Sequence, residues 1–298
     1  MIYSFSSFFN NHFALATFSL LLLAFINMYL FKNNYVRFGT FFSAMVLGII
    51  TGFIDLLGFG LIVFYCALFY LSYHAKNKWL RKGAFLVVLM CSVAIMLVPV
   101  PGIENWQAIN RLYITEDAIP YSMYFTFDKS LIGLFFIWFC GYHSLANEGK
   151  WKPALKIAAK SGLIAIALLL PLTFALGYVK FDVKLTPFFF LWAINNLFFV
   201  SIAEEALFRG MIQQTLMSWW QNYKVGKWVA LVITASLFGA AHFKGGYKYM
   251  ILASVAGLLY GYAYIRAKKI EASILTHFMV NSVHFVFFTY PALASAFE

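Results

Sequence analysis

Residues 187–219 carry the sequence PFFFLWAINNLFFVSIAEEALFRGMIQQTLMSW. As one helix this run would be about 50 Å long, which exceeds the roughly 30 Å hydrocarbon core of a bilayer. Three of its residues, Glu204, Glu205 and Arg209, are charged. Ionised side chains are costly at bilayer depth and usually mark a functional site. This segment therefore indicates both the fold class and the place to look for function.

The composition of the whole chain agrees with a membrane protein. Hydrophobic residues make up 63% of the 298 residues and charged residues 11%, and the mean hydropathy is +0.79. A soluble chain has about 25% charged residues. The net charge of +11 comes from cations in short clusters between apolar runs, which is typical of membrane topology. The pattern predicts an all-α polytopic transmembrane bundle and excludes nucleic-acid binding.

The apolar runs predict eight to ten membrane helices, and ten are favoured. Two of the runs are separated by a turn near Asp55, and a loop at 101–129 carries aromatic residues typical of the membrane interface. Ten helices satisfy the positive-inside rule with both termini on the non-cytoplasmic side, in the plasma (inner) membrane of a bacterium. The predicted segments are 12–31, 39–55, 57–74, 83–100, 130–147, 155–177, 187–219, 228–243, 248–266 and 272–290.

Helical spacing assigns different roles to the two carboxylates. Glu205 and Arg209 are four residues apart, so on an α-helix they share a face and can form an ion pair. Glu204 is rotated by about 100° from Glu205. We therefore expect Glu205 to support the structure through Arg209, while Glu204 is available as a general base.

Two later helices carry polar residues at a similar predicted depth. His277 and Asn281 are four residues apart, so both can donate hydrogen bonds to one developing oxyanion. His242, on another helix, can orient a water molecule together with Glu204. Asn196 lies two turns before Glu204 and can line the same cavity, whereas Gly257 and Gly261 indicate close helix packing.

These residues fall into three motifs: Glu204-Glu205-xxx-Arg209, Phe238-xxx-His242 and His277-xxx-Asn281. Their order and separation resemble the CAAX protease and bacteriocin-processing family, also called CPBP or Abi, which includes the type II prenyl-protein endopeptidase. The resemblance covers 187–290. It divides the chain into N-terminal helices of unrecognised type, 1–150, and a catalytic bundle, 151–298.

The resemblance implies an intramembrane endopeptidase that acts on a membrane-associated or lipidated peptide, with membrane lipids around it. Glu204 would activate water, His242 would position it, and His277 with Asn281 would form the oxyanion hole. Glu205 and Arg209 would hold the site together. No cofactor is favoured, but zinc bound by Glu204, His242 and His277 is an open alternative.

Two readings outside catalysis also remain. An immunity factor or scaffold can use the same cavity to bind a peptide without cleaving it. A transporter predicts internal repeats and helices broken at the midplane, and neither pattern is clear in the sequence.

Overall fold

The computed structural model describes residues 11–31, 33–140 and 151–297. These residues form the predicted helical bundle, and the fold class is confirmed. The end of the fifth predicted segment, 141–147, lies outside the described residues. The ten longer helices of the described residues are α1 (His12–Leu30), α2 (Asn34–Ile50), α3 (Leu56–His74), α4 (Lys78–Leu97), α5 (Phe127–Cys140), α6 (Trp151–Ala175), α7 (Phe189–Trp219), α8 (Gly226–Ala241), α9 (Gly246–Ala267) and α10 (Ile270–Phe287).

Seven of these helices are long and apolar enough to cross a membrane. They are α1, α3, α4, α6, α7, α9 and α10, where the α9 span includes the short turn that precedes it. Helices α2 and α8 are shorter but also apolar. The side of the membrane on which the termini lie stays a prediction.

The predicted break at Asp55 is confirmed. Helix α2 ends at Ile50 and α3 begins at Leu56. The Asp55 side chain accepts a hydrogen bond from the backbone N–H of Gly58 at 2.8 Å and thereby caps α3. The backbone N–H of Asp55 donates to the carbonyl of Gly102 at 2.9 Å. A capped helix start explains why one long apolar run becomes two helices.

The predicted loop at 101–129 is wrong in part, because it contains two paired strands, β1 (Trp106–Leu112) and β2 (Tyr121–Phe125). Trp106 was expected among aromatic residues at the membrane interface, yet it is only 8% exposed. Its ring stacks on Phe125 at 5.4 Å and lies 6.0 Å from Phe18. In β2 the alternate residues Met123 and Phe125 are buried, which is typical of a half-buried strand. In β1 the buried residues are Trp106 and Ile109, which are three positions apart.

The chain forms two compact units. The first contains the described residues of 1–108, 124–148 and 198–207, and the second contains those of 109–123, 149–197 and 208–298. The predicted division into domains at residue 150 stays a prediction, since a compact unit is not by itself a functional domain.

Aromatic side chains form the core of the first unit. Phe135 of α5 is fully buried, and its ring lies 5.3 Å from Phe41, 5.8 Å from Tyr65 and 5.9 Å from Phe69. These partners come from α2 and α3. Helix α5 is thus the element around which the preceding helices pack.

In the second unit, α9 packs against α6, α8 and α10, and α6 also packs against α10. The Thr276 hydroxyl donates to the Ala158 carbonyl at 3.3 Å and so links α10 to α6. Helices α8 and α9 approach closely at Gly239, where an added Cβ would lie 1.9 Å from the Ser254 hydroxyl oxygen. This packing fixes the three helices that carry the second and third motifs and the glycines between them.

Candidate active site

Helix α7, which carries the first motif, is not a uniform α-helix. Two stretches are π-helical, Asn195–Ser201 and Ala206–Gln213, and a four-residue α-helical segment, Ile202–Glu205, separates them. A π-turn has i→i+5 hydrogen bonds and holds more residues than an α-turn, and such turns are frequent at functional sites. The premise of uniform α-helical spacing between Glu205 and Arg209 is therefore wrong. The ion pair between them stays a proposal.

Glu204 and Glu205 belong to the first unit and differ in burial. Glu205 is 0% exposed, whereas Glu204 is partly exposed. Helix α5 supports their segment at Gly133, where an added Cβ would lie 2.7 Å from the Ile202 side chain and 3.3 Å from the Ala203 nitrogen. The absence of a side chain at Gly133 thus lets α5 approach the backbone immediately before Glu204.

Arg209 belongs to the second unit and is fully buried. Its Nη2 donates a hydrogen bond to the Gly257 carbonyl at 2.9 Å. The guanidinium carbon lies 4.5 Å from the centre of the Phe238 ring and 5.5 Å from that of Tyr260. A planar cation can stack on aromatic rings while it donates in its own plane. These contacts stabilise a charge that burial alone would disfavour.

The same contact recurs one helical turn further along α9. Gln213 Nε2 donates to the Gly261 carbonyl at 3.1 Å. A Cβ on Gly257 would lie 3.3 Å from Arg209 Nη2, and a Cβ on Gly261 would lie 2.6 Å from Gln213 Oε1 and 2.4 Å from Leu231. The predicted close packing at the two glycines is confirmed. The structure adds that both glycines expose a carbonyl to a polar side chain of α7.

His242 follows the last residue of α8. Its Nδ1 lies 2.7 Å from the Phe238 carbonyl. A carbonyl can only accept, so Nδ1 carries the proton, and Nε2 of the neutral imidazole is then the basic nitrogen. The ring lies 4.6 Å from that of Phe238 and 5.2 Å from that of Tyr249. The imidazole is thus held in one orientation and one tautomer.

His277 and Asn281 lie on α10. The His277 ring is 4% exposed and stacks on Tyr260 with a centroid distance of 4.6 Å and an interplanar angle of 15°. It meets Phe238 edge-on at 5.9 Å. Asn281 Nδ2 donates to Asn196 Oδ1 at 3.3 Å. Asn196 therefore contacts a predicted site residue, whereas its predicted place in the wall of the cavity stays a prediction.

His242, His277 and Asn281 line one cavity of about 100 Å³ in the second unit. Most of the other lining residues are apolar or aromatic. One of them, Tyr178, lies outside the membrane-spanning segments, and burial raises its pKa to about 12. Its hydroxyl is therefore neutral at physiological pH. A cavity of this size admits several water molecules beside the three polar side chains.

His284 also lines this cavity. Its Nε2 lies 3.2 Å from the Thr289 carbonyl, just beyond the end of α10. A ring that bonds the backbone can still present a face to the cavity.

Other residues that build the site were given no role by the sequence, although Phe238 begins the second motif. Phe238 contacts Arg209, His242 and His277, and Tyr260 contacts the first and last of these. The spacing of the sequence could have predicted the contact of Gln213. Gln213 follows Arg209 by four residues, just as Gly261 follows Gly257. No comparable signal marks Gly133.

Within the part of the chain that the structure describes, no group of three His, Cys, Asp or Glu side chains is arranged to hold a metal ion. The described side chains therefore give no support to the zinc alternative with Glu204, His242 and His277. Metal dependence stays untested, and we derive no step through a metal.

Residues 186–283, about a third of the chain, match the family model described as Type II CAAX prenyl endopeptidase Rce1-like. All three motifs fall within this match. No curated protein and no solved structure matches the chain. The protein is an integral membrane protein, and its residues 186–283 are similar to the Rce1-like type II CAAX prenyl endopeptidase family.

Proposed function

We propose that the protein is a metal-free intramembrane endopeptidase in which Glu204 activates water. The observation that carries this proposal is the cavity lined by His242, His277 and Asn281, three polar side chains among apolar walls. A hydrolase needs groups that hold water and groups that bind an oxyanion, and these three residue types supply both.

In the proposed reaction, Glu204 takes a proton from a water molecule as the oxygen attacks the carbonyl carbon of the scissile peptide bond. His242 Nε2 accepts a hydrogen bond from the same water and orients it. The C–N bond then breaks, and the leaving nitrogen takes the proton from Glu204. The products are a carboxylic acid, which keeps the second hydrogen of the water, and an amine, and Glu204 returns to its ionised form. The acid then passes its proton to the amine or to solvent.

His277 and Asn281 would donate to the oxyanion that forms on the carbonyl oxygen. The Asn281 amide has two N–H groups, and the contact with Asn196 uses one of them. The second can therefore serve the oxyanion. The stacking of His277 on Tyr260 would hold the imidazole ring in place.

We propose that Arg209 and Glu205 support the site and do not react. The guanidinium contacts Phe238, whose backbone carbonyl fixes the tautomer of His242. Through this one residue, Arg209 can influence the orientation of His242. Such groups pre-organise a site at no cost during the reaction.

The proposed substrate is a membrane-associated or lipidated peptide. The apolar walls of the cavity favour a peptide that partitions into the bilayer, and no nucleic acid is involved. A prenylated C-terminus is one candidate, since the matched family is described by that substrate. We place the enzyme in the plasma (inner) membrane of a bacterium.

The test is cleavage of prenylated and unmodified membrane peptides by the purified protein in lipid nanodiscs. We expect Glu204→Gln, which keeps the size of the side chain, to lower kcat by at least about 100-fold. Lys244→Gln, an exposed change close to His242 in sequence, is the control and should leave kcat unchanged. Wild-type turnover by the Glu204→Gln variant would refute the mechanism. Peptide binding by a wild-type protein that never cleaves would favour the scaffold.

Metal dependence is tested with the same assay. The metal-free mechanism predicts full activity after dialysis against a strong chelator and less than one equivalent of zinc in the purified protein. Activity that falls on chelation and returns on addition of zinc would establish the zinc alternative instead.

A further inference from the structure

A second concave surface of the second unit lies outside the proposed active site. It is a groove of about 510 Å³ between α6, the beginning of α7 and α10. Its walls are apolar except for one hydroxyl, that of Ser282. Lining residues that define its course are Leu155 and Ala159 of α6, Phe189 of α7, and Leu275, Phe278 and Val286 of α10.

A row of three lysines borders one end of this groove. Lys152, Lys156 and Lys160 are spaced by four residues and are all exposed, so they lie along one face of α6. Leu155 and Ala159, which line the groove, follow Lys152 and Lys156 by three residues and are their neighbours on the helix surface. None of the three lysines forms an ion pair with a described residue. As far as the described residues go, the row therefore carries positive charge that no carboxylate pairs with, beside an apolar channel.

The groove extends away from the lysines. Helices α6 and α10 run side by side in the same direction, because Ala158 contacts Thr276 and an added Cβ on Gly162 would contact Met279. Between Leu275 and Val286 the α10 wall is about 17 Å long. That length is sufficient for most of an acyl chain lying along the helices.

We propose that this groove binds one acyl chain of an anionic glycerophospholipid, with the lipid phosphate at Lys152, Lys156 and Lys160. Charge complementarity selects the lipid class, since three neighbouring cations at the end of an apolar groove favour a net negative headgroup. A zwitterionic lipid can fill the same groove but lacks that electrostatic preference. The site is distinct from the proposed catalytic cavity and does not depend on the proposed hydrolysis.

Native mass spectrometry of the full chain, released from detergent, can measure this preference. The probes are phosphatidylglycerol and phosphatidylcholine with identical acyl chains, at equal concentration. We expect the wild type to retain phosphatidylglycerol preferentially. In K152Q/K156Q/K160Q, the preference should fall by about five-fold for each lysine removed, until the two lipids bind alike.

The matched control is K76Q/K78Q/K82Q, which removes the same charge from exposed lysines around the start of α4. It should keep the wild-type preference. If the first triple variant kept the wild-type preference, or if the control lost it equally, the lysine row would not be the headgroup site.

A second pair of variants tests the acyl chain. Ala159→Trp fills the groove and should weaken the binding of both lipids, whereas Leu168→Trp, which is exposed on the opposite face of α6, should not. Melting curves confirm that each variant is folded. Equal lipid binding by both tryptophan variants would show that the acyl chain does not bind in the groove. Displacement of phosphatidylglycerol by millimolar inorganic phosphate would show an ion site without an acyl chain and would likewise overturn the proposal.

Discussion

The helices of the two regions begin in different ways. Each of α1–α4 starts at a side chain that accepts a hydrogen bond from the first turn, namely Asn11, Asn33, Asp55 and Asn77. Helices α7–α10, which carry the motifs, have no side-chain cap where they begin, at Phe188, Val225, Gly245 and Lys269. Local sequence defines the N-terminal helices, and something else must define the motif-bearing ones.

Contacts between helices fill that role in the second unit. Side chains of α7 donate to backbone carbonyls of α9, and a side chain of α10 donates to a side-chain oxygen of α7. The pairs are Arg209 with Gly257, Gln213 with Gly261, and Asn281 with Asn196. Buried polar contacts of this kind specify one arrangement of the helices, and their loss is costly because the partner stays unsatisfied. The comparison thus separates helices stabilised by their own ends from helices held by a shared network.

The largest expected effect comes from the same substitution made in each region. Asn281→Ala should lower kcat by about 100- to 1,000-fold, since it removes one oxyanion donor. Asn77→Ala removes a cap with contacts of 2.8 Å to the N–H of Trp79 and 3.3 Å to that of Leu80. It should lower the free energy of unfolding by about 1 kcal/mol and leave kcat unchanged.

Peptide cleavage and thermal unfolding, measured on both asparagine variants in one lipid composition, check this contrast. If Asn77→Ala were the inactive variant while Asn281→Ala kept its rate, the assignment of the two regions would be reversed.

The next largest effect is expected on the free energy of unfolding when one glycine of each region is replaced by alanine. Gly261→Ala places a Cβ 2.4 Å from Leu231 and 2.6 Å from Gln213, so it should lower the free energy of unfolding by about 1–3 kcal/mol. Gly60→Ala in α3 meets nothing within 4 Å and should raise it by up to about 1 kcal/mol, because alanine favours a helix. Chemical denaturation in mild detergent checks the opposite signs. Two shifts of the same sign would contradict the comparison.

Gly133 makes the comparison sharper, because it lies in the first unit yet supports Ile202 and Ala203. Gly133→Ala should shift the segment that carries Glu204, and a misplacement of about 1 Å costs about 100-fold in rate. We expect kcat to fall while KM changes little. Gly83→Ala in α4, where the added methyl meets nothing within 4 Å, is the control. Equal kcat values in the two variants would show that α5 does not position Glu204.

Much of the fold could be predicted from the sequence because membrane helices are local features. Apolar length and the break at Asp55 gave all ten helices of the described residues. The strands at 106–125 were missed because their aromatic residues were interpreted by polarity, whereas Trp106 and Phe125 pack against each other. The preference for extended structure depends on packing context, so short strands such as these leave only a weak pattern in the sequence.

The candidate site was predictable to a lesser extent. The motifs identified His242, His277 and Asn281, which do line one cavity. The π-turns of α7 were not predicted, because a period of 3.6 residues per turn was assumed for the whole helix. No residue type in α7 distinguishes a π-turn from an α-turn. The function of Phe238 as a shared contact also required the structure, since stacking depends on helices that are far apart in sequence.

The smallest expected effect is the pH dependence of stability that comes from one surface contact of the second unit. This contact joins Asp182 and Lys184 in the segment that follows α6. Burial raises the pKa of Asp182, but hydrogen bonds from Lys184 and Thr115 outweigh it, so the pKa lies below the usual 3.8. A carboxyl group whose pKa is lower in the folded protein stabilises the fold at pH values above its pKa in the unfolded chain. This contribution is lost as the pH falls through its pKa in the folded protein. Because the Asp182 side chain is 36% exposed, the effect should stay below about 1 kcal/mol.

The measurement is the melting temperature of the wild type and Asp182→Asn between pH 7 and pH 3. The variant should melt slightly lower at pH 7, and the difference should shrink only below pH 3.8, as the pH falls toward the lower folded pKa and the wild-type carboxylate takes up its proton. Asp117→Asn is the matched control, since Asp117 pairs with Lys180 and both side chains are 63% exposed. It should follow the wild type at every pH. A difference for Asp182→Asn that grew as the pH fell would mean that the contact with Lys184 does not stabilise the folded state.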